Sequence, residues 1–476
     1  MRRGVDVNRL ESDAVVIGAG IAGMVTALRL SELGIKTLVL EQGEAEKYPC
    51  NTRMAGGAFH VAHQDVMDDP ELILQAINKR TQGSARPDLV EALAGGIAEA
   101  TRWLQKKGVR FIKVGHEPYR KHTLAPPIRI HGRDYWEGRG GDVLLRTLAG
   151  EFQRNGGQIA RGTRALRLGM QGASCVGLEA VRGPETLQVG AQAVVICDGG
   201  FHSNLDLLRE FISPAPEKLK QRNAQTGLGD GLSMAREVGA QLVGLDRFYG
   251  HVLARDALHN DDLWPFPMMD FVCAAGIVVD RSARRFLDEG LGGVTMANAI
   301  AAQPDPLCAT AIFDAAIWNG PGREYLIPAN PTLTSAGGTL YTADSLDGLA
   351  GQLGMPAAQL ESTVAQYNAA VSDGLATELV PKRSTAAYRA HPIGTPPYHA
   401  VQLCAGITYT MGGIAVDSFG RVLDTANRPI PGLYAAGCAT GGLEGGGRDQ
   451  IAYIGGLTRS TVFGLRAADD IASLAR

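Results

Sequence analysis

Asp13-Ala14-Val15-Val16-Ile17-Gly18-Ala19-Gly20-Ile21-Ala22-Gly23 combines a short apolar run with three closely spaced glycines. The first five residues predict a buried parallel strand, and the apolar residues that follow at helical spacing predict a helix over 21–33. Thr37-Leu38-Val39-Leu40 then predicts a second strand that ends at Glu41. A strand, a helix and a strand in this order predict an α/β domain with a doubly wound parallel sheet.

The glycine turn is typical of a dinucleotide site. Gly18 permits the tight bend, Gly20 lets the backbone approach a pyrophosphate, and Gly23 lets the helix pack closely on the strand. Glu41 ends the second strand, where its carboxylate can accept hydrogen bonds from ribose hydroxyls, and Gln42 follows it. Chance turns also match three spaced glycines, but here the flanking strand, helix and acidic residue all agree.

Composition indicates a small-molecule ligand. The 476 residues exceed what one hydrophobic core usually supports, so we expect two domains or one domain that carries a large insertion. A net charge of -3 without long single-sign runs argues against nucleic acid or an anionic membrane as partner. The seven cysteines are scattered without a Cys-x-x-Cys pair, so we expect reduced thiols, a cytoplasmic location and no metal centre. We expect neither a secretory signal nor a membrane span.

The pattern along the chain predicts a discontinuous nucleotide domain. Helices are expected near 70–80 and 88–107, and β-strands over 158–192. Residues 241–395 are richer in proline and aromatic residues and carry their own strand and helix. We interpret that segment as an inserted α+β cap, with 1–240 and 396–476 forming the nucleotide domain. Trp264, Phe266 and Phe271 would give the cap an apolar lining.

Several further segments resemble the flavoproteins of the fumarate reductase and succinate dehydrogenase family. They occur in family order and are Asn51-Thr52-Arg53-Met54-Ala55-Gly56-Gly57, Asp198-Gly199-Gly200-Phe201, Thr226-Gly227 with Gly229-Asp230-Gly231, Thr410-Met411-Gly412-Gly413, and the stretch from Pro429 to Gly437. Arg285-Phe286-Leu287-Asp288-Glu289-Gly290 and Pro397-Tyr398-His399-Ala400 resemble tricarballylate dehydrogenase-like members. Ketosteroid dehydrogenases are relatives with the same fold.

The resemblance implies bound FAD in a glutathione-reductase-type domain, an inserted cap, and hydride transfer at flavin N5. Because the segment around Asn51 follows the noncovalent pattern, a covalent bond to histidine is not expected. The implied contacts are Gly18, Gly20, Ala22, Gly23, Glu41, Gln42, Asn51, Thr52, Ala55, Gly56, Gly57, Asp198, Gly199, Gly200, Asn223, Thr226, Gly229, Asp230, Met411, Gly412, Gly437, Cys438, Gly456 and Leu457.

The sequence departs from the family at the substrate. The family's acid arginine falls on Gly293, its histidine before the Thr-Met-Gly-Gly turn is Tyr409, and its carboxylate-binding arginine falls near Ile451. We therefore do not expect fumarate reduction by the family mechanism, and predict a substrate less anionic than fumarate. Cys438 replaces the family's glutamate, so flavin binding would depend more on Asp230 and Asp417.

Four residues are candidates for proton transfer and carbonyl binding. His251 keeps the register of the family's cap histidine, although a lone histidine is more often structural. Tyr409 and Tyr453 could exchange protons, as tyrosines do in the ketosteroid dehydrogenases, or could pack against the flavin or the core. Arg448 lies among glycines, where a ligand is within reach and solvation is equally plausible.

These observations predict an FAD-dependent dehydrogenase or reductase of a CH–CH bond beside a carbonyl or carboxylate. No second glycine fingerprint for a nicotinamide nucleotide is present, so a quinone, a redox protein or dioxygen is the expected electron partner. Two alternatives stay open. One is an FAD oxidase that acts on a C–N or C–OH bond, and the other is an electron-transfer subunit beside an iron–sulfur protein.

Overall fold

The computed structural model describes residues 8–129, 135–445, 447 and 451–475. A six-stranded sheet forms its centre, and it is parallel except for one antiparallel edge strand. From edge to edge its strands are Arg421–Leu423, Pro429–Ala435, Ala193–Ile196, Ala14–Ile17, Thr37–Glu41 and Gln158–Arg161. The strand, helix and strand predicted from the first fingerprint are therefore confirmed.

Helices pack on this central sheet and on one another. Ile21–Glu32 begins directly after the glycine turn and packs against both Gly140–Arg154 and Gly456–Leu474. Gly456–Leu474 in turn packs against Pro87–Lys106, which packs against Pro70–Thr81. The last two helices match the predictions near 88–107 and 70–80.

A second, four-stranded sheet lies beside the central one. It contains Asn8–Glu11, Glu185–Gly190, Ser174–Arg182 and Thr163–Gln171, and the last three pair antiparallel. Together with Gln158–Arg161, these last three strands confirm the β-structure predicted over 158–192.

A third sheet, which lies mostly within the predicted cap, is built around one long strand, Tyr398–Thr410. Its partners are Lys220–Gln221, Phe248–Ala254, Thr310–Asp314 and Tyr341–Ala343, and Ile277–Val279 extends the sheet beyond Thr310–Asp314. Tyr398–Thr410 follows the predicted boundary at residue 396, and it hydrogen bonds to strands of the predicted cap. A run of buried residues over 399–401 and 403–407 looks like a central strand of either sheet. The division into two domains stays a prediction.

The other described elements are short or peripheral. The helices are Asn51–Met54, Leu205–Phe211, Asp230–Glu237, Asp270–Ala275, Gly293–Ala301, Ala315–Asn319, Ala329–Ser335, Leu346–Leu353 and Ala357–Ser372. The strands are His60–Val61, Gln64–Asp65, Phe111–Ile112, Thr123–Leu124, Leu242–Val243 and Gly413–Ile414. Among the described residues, no helix combines the length and apolar character that crossing a membrane requires.

Candidate active site

A cavity of about 730 Å³ lies where the carboxyl ends of the central strands meet the cap. Ligand sites in doubly wound folds occur at such strand ends, and cavities of roughly 300–1,000 Å³ are typical of them. Ile17, Glu41 and Asp198 line it from the central sheet, while Tyr249, His251 and Thr408 line it from the cap. The cavity therefore joins the predicted dinucleotide turn to the cap.

The glycine turn requires glycine for steric reasons. Gly18 has φ of +92°, and a Cβ there would lie 2.7 Å from the carbonyl oxygen of Cys197. A Cβ at Gly23 would overlap the carbonyl oxygen of Gly18. Gly20 begins the helix Ile21–Glu32 without any side-chain cap. The helix N-terminus thus faces the cavity, as a pyrophosphate site requires.

Asn51 and Thr52 tie the short helix Asn51–Met54 to both halves of the cavity. The Thr52 hydroxyl accepts from the Ile21 N–H at 3.0 Å. The Asn51 side chain accepts from the Ala224 N–H at 2.9 Å and donates to the Thr408 carbonyl at 3.0 Å. These bonds hold the segment that leads to Ala55, Gly56 and Gly57 along the cavity wall.

Glu41 is held at the end of its strand by two backbone donors. Its carboxylate accepts from the Ala19 N–H at 3.0 Å and from the Gly43 N–H at 2.8 Å. Burial raises the pKa of Glu41, and these two bonds oppose the shift. Since each carboxylate oxygen has a second lone pair, Glu41 can still accept from a ribose hydroxyl.

Most of the sequence-predicted cofactor residues line this one cavity. They are Gly18, Gly20, Ala22, Glu41, Gln42, Asn51, Thr52, Ala55, Gly56, Gly57, Asp198, Gly199, Gly200, Asn223, Thr226, Asp230, Cys438, Gly456 and Leu457. At Gly56 and Gly199 an added Cβ would meet no atom within 4 Å, so a ligand can approach their backbone. An extended dinucleotide fits such a wall.

Five predicted cofactor residues lie outside the cavity wall, because they pack against protein: Gly23, Gly229, Met411, Gly412 and Gly437. A Cβ at Gly412 would overlap the Gly244 backbone, and one at Gly437 would reach the Ala22 Cβ at 2.8 Å. Their role is therefore to shape the turns behind the cavity. Asp417 also lies behind it and accepts from the backbone N–H of Phe419 and Arg421.

Asp198 is an incompletely paired carboxylate at the cavity. One oxygen accepts from the Gly231 N–H at 2.6 Å, and the other is buried without a hydrogen-bond partner among the described residues. Burial raises the pKa of Asp198 to about 7. A protonated Asp198 at neutral pH could donate one hydrogen bond to a ligand.

Replacing Asp198 with Asn should stabilise the apoprotein at alkaline pH. The folded state holds the Asp198 proton more tightly than the unfolded state, so the stability linked to that proton is complete below pH 3.8 and is lost as pH rises through about 7. We expect the gain of Asp198→Asn in unfolding free energy to grow by up to roughly 3 kcal/mol between about pH 5 and about pH 8. Urea unfolding at both pH values measures it, and a constant difference contradicts the assignment.

Three tyrosines form a cluster at the cap side of the cavity. The Tyr249 and Tyr453 rings stack with centroids 4.0 Å apart, and the Tyr409 ring lies 5.4 Å from Tyr249. The Tyr409 hydroxyl donates to the buried Glu444 at 2.8 Å, and Glu444 pairs with Arg459 at 3.0 Å. The Tyr409 hydroxyl proton is therefore held in the hydrogen bond to Glu444, and the Tyr409 ring forms part of the cavity wall.

His251 lies between an acid and a phenol. Its Nδ1 is 2.5 Å from an Asp270 carboxylate oxygen, and its Nε2 is 3.0 Å from the Tyr249 hydroxyl. Burial lowers the pKa of His251, and Asp270 partly offsets that shift. In the neutral ring Nδ1 donates to the carboxylate, so Nε2 is left to accept from Tyr249. The three residues form a continuous hydrogen-bonded path that ends at the cavity.

Gly293 explains how Asp270 reaches this position. A Cβ at residue 293 would overlap the Asp270 carboxyl group. The second Asp270 oxygen accepts from the Val252 N–H at 2.8 Å, which fixes the carboxylate against the strand that carries His251. The site where the resemblance places an acid arginine is thus taken by an aspartate from another element.

The structure brings together residues that the sequence did not connect. His251, Tyr409 and Tyr453 all line the cavity, and so do Trp264, Phe266 and Phe271. Arg448 lies outside the described residues. Sequence reasoning missed Asp270, Arg80 and Arg222 because no motif surrounds them. The one local signal was Gly293, whose missing side chain implies a replacement nearby.

A parallel sheet, a glycine turn and a cavity closed by a cap define a dinucleotide-dependent enzyme of the flavoprotein kind. The chain belongs to the FAD binding domain family, whose model matches residues 13–449. It is an FAD-dependent oxidoreductase. The chain is 27% identical to a probable fumarate reductase of Shewanella frigidimarina, over 97% of this chain and 75% of that one. It is 28% identical to the urocanate reductase of Eggerthella lenta, over 97% of this chain and 75% of that one.

The fold is also that of a solved ketosteroid enzyme. The structure of 3-ketosteroid Δ1-dehydrogenase from Sterolibacterium denitrificans superposes with a TM-score of 0.73, covering 98% of this chain and 100% of that one at 22% identity. At this identity the likeness establishes the fold alone. It confirms the predicted α/β flavoprotein architecture.

Proposed function

We propose that this protein reduces, or in reverse forms, a carbon–carbon double bond beside a carbonyl or carboxylate. Bound FAD would supply hydride chemistry at N5. The observation that carries the proposal is the Asp270–His251–Tyr249 path, which provides a proton at the cavity surface. Adding hydrogen across a double bond needs a proton as well as a hydride, and removing it needs a base. The two relatives compared above by sequence are named a probable fumarate reductase and a urocanate reductase.

Tyr249 is the group we assign to proton exchange with substrate. Burial raises its pKa well above 10, so the phenol keeps its proton in the resting site. To take a proton from substrate, the Tyr249 oxygen would pass its own proton to Nε2 of neutral His251. To give a proton to substrate, Tyr249 would be resupplied by protonated His251. Asp270 stabilises the charged histidine in both directions.

The other tyrosines have supporting roles in this proposal. Tyr453 stacks on the Tyr249 ring and fixes its orientation. Burial raises the pKa of Tyr453, so its hydroxyl stays protonated and can donate to a substrate carbonyl. Tyr409 positions the wall through Glu444. The prediction for Arg448 stays untested.

The side chains around the Asp270–His251–Tyr249 path favour a substrate that carries an aromatic or alicyclic ring. Ten tyrosine, tryptophan and phenylalanine residues line the cap end of the cavity: Tyr119, Tyr135, Tyr249, Trp264, Phe266, Phe271, Tyr325, Tyr388, Tyr409 and Tyr453. The electron partner we propose is a quinone, a redox protein or dioxygen. All seven cysteines are unpaired, and this supports the proposed reducing, cytoplasmic surroundings.

Anaerobic single-turnover experiments on the holoenzyme test the reaction class. Dithionite-reduced enzyme is mixed with enones, cyclic enones and aryl-substituted enoates, and oxidised enzyme with their saturated counterparts, while flavin absorbance is followed. Reoxidation by an alkene or bleaching by its saturated form is expected. Bleaching only by amines or alcohols, with peroxide formed in air, favours an oxidase. No response to any compound, with an iron–sulfur protein co-purifying, favours an electron-transfer subunit.

The two reaction directions should respond to pH with opposite signs. Burial lowers the pKa of His251 below its ordinary 6.5, so the ring is neutral at pH 7 and protonates only in more acid solution. Dehydrogenation needs the neutral ring and should slow as pH falls through that pKa, while alkene reduction should accelerate. Single-turnover rates in each direction across pH measure this. If the rates in both directions rise with pH, or both fall, the assignment of His251 is contradicted.

A further inference from the structure

Arg222 is a cation in the cavity wall, and no carboxylate among the described residues forms an ion pair or hydrogen bond with it. One terminal nitrogen donates to the Thr408 hydroxyl at 2.9 Å and the other to the Pro265 carbonyl at 3.0 Å. Its Nε is buried and has no hydrogen-bond partner among the described residues. These neutral acceptors use two of the five N–H donors, so Arg222 retains capacity for an anion.

The fold holds Arg222 rigidly at this place. Its backbone N–H donates to the Ile407 carbonyl at 2.8 Å, which continues the pairing of Lys220–Gln221 with Tyr398–Thr410. Gly406 leaves room for the side-chain stem, since a Cβ there would lie 2.5 Å from the Arg222 Cδ. The Arg222 side chain therefore lies across the strand Tyr398–Thr410. It contacts Thr408, the residue before Tyr409.

The charges at the cap end leave one positive charge uncompensated. Among the described residues that line this end, the charged side chains are Arg80, Arg222 and Asp270. Arg80 donates its Nε–H to the Ala62 carbonyl at 3.0 Å, and Asp270 is engaged by His251. Burial lowers the pKa of His251, so the ring is neutral at pH 7. Two arginines and one aspartate sum to a single positive charge, which one carboxylate would neutralise.

Arg222 also lies beside the proposed proton donor and the aromatic walls. Burial lowers the pKa of Arg222, and the neighbouring Tyr249, Asp270, Tyr135 and Tyr325 oppose that shift. Tyr135 packs edge to face on Trp264, and Tyr325 packs against Phe271 with ring centroids 5.0 Å apart. An anion on Arg222 would place its adjacent carbons next to Tyr249, with an attached ring against these walls.

We propose that Arg222 binds the single carboxylate of an aryl- or alicyclic-substituted 2-enoate. This inference rests on the proposed function and specifies its substrate class. It agrees with a substrate less anionic than fumarate, because one carboxylate is expected where fumarate has two. The carboxylate on Arg222 would direct the α-carbon to Tyr249 and the β-carbon toward the flavin.

Binding to oxidised holoenzyme tests the proposal without turnover. Cinnamate and its neutral amide, cinnamamide, are titrated while the flavin absorbance spectrum is followed. Wild type should bind cinnamate about 10- to 100-fold tighter than the amide, the range of a charge-assisted bond. Arg222→Met should remove that preference and retain FAD, Arg222→Lys should keep part of it, and Arg80→Met should keep most of it.

Equal affinity for acid and amide in the wild type, or no binding of cinnamate, would overturn the assignment. So would a preference that survives in Arg222→Met but is lost in Arg80→Met. These outcomes leave the reaction class intact if reduced enzyme is still reoxidised by neutral enones. Conversely, tight binding of cinnamate without flavin reoxidation by any alkene would remove the proposed reaction and retain the anion site.

Discussion

Tyr249→Phe is expected to slow alkene-dependent reoxidation of the reduced flavin by about 100- to 10,000-fold, the usual contribution of a positioned acid or base. The substitution removes only the hydroxyl that lies 3.0 Å from His251 Nε2. The ring remains, so its stacking on Tyr453 and the shape of the cavity should persist. Stopped-flow absorbance in a single anaerobic turnover measures the effect, with FAD content and thermal midpoint recorded for each variant.

Tyr409→Phe is the matched control for this experiment. It also removes one phenol hydroxyl from the same cluster, but that hydroxyl donates to Glu444 rather than to the proton path. We expect its rate to stay within about tenfold of wild type. If Tyr409→Phe is the slower variant, the proton donor is Tyr409 and the role of Tyr249 is structural.

The dinucleotide half of the site was predictable because its chemistry is local. The turn at Gly18 and Gly23, the helix that follows it and Glu41 are close in sequence and fixed by backbone sterics. Each residue type at each spacing has a physical reason that does not depend on the rest of the fold. Resemblance then extended this local prediction to distant segments such as Asp198-Gly199-Gly200.

The proton path was not predictable because its members meet only through tertiary contacts. Tyr249 and His251 share one strand, but Asp270 begins a different element 19 residues after His251. Asp270 is a single aspartate that follows two prolines and two methionines, and no sequence motif marks it as a site residue. Arg222 is similar, since only its approach across Gly406 places it in the cavity.

The position of Tyr409 was predictable from the sequence, but its hydrogen-bond partner was not. The sequence placed it at the site, and its ring does line the cavity. Its hydrogen bond to Glu444 depends on a glycine-rich segment 35 residues later, which has no periodic pattern to interpret. The same limit applies to the predicted cap boundary, since Tyr398–Thr410 is apolar enough for either sheet.

Gly293→Ala is expected to slow the alkene-dependent reoxidation of the reduced flavin by about 100-fold or more in a single turnover, although it adds only one methyl group. The new Cβ would occupy the space of the Asp270 carboxyl group and displace it from His251. Without that carboxylate the histidine loses the group that fixes its tautomer and stabilises its charged form, a loss worth up to about 10,000-fold in comparable triads.

A double-mutant cycle separates this effect from general damage to the fold. Asp270→Ala should slow the step by a similar factor, because both changes remove the same carboxylate from His251. The double variant Gly293→Ala with Asp270→Ala should then be no slower than either single variant, and its thermal midpoint should exceed that of Gly293→Ala, since the overlap is gone. Additive losses in rate would show that Gly293 acts on catalysis by another route than Asp270. A Gly293→Ala enzyme with the wild-type rate would show that Asp270 can move without consequence, which would remove it from the proton path.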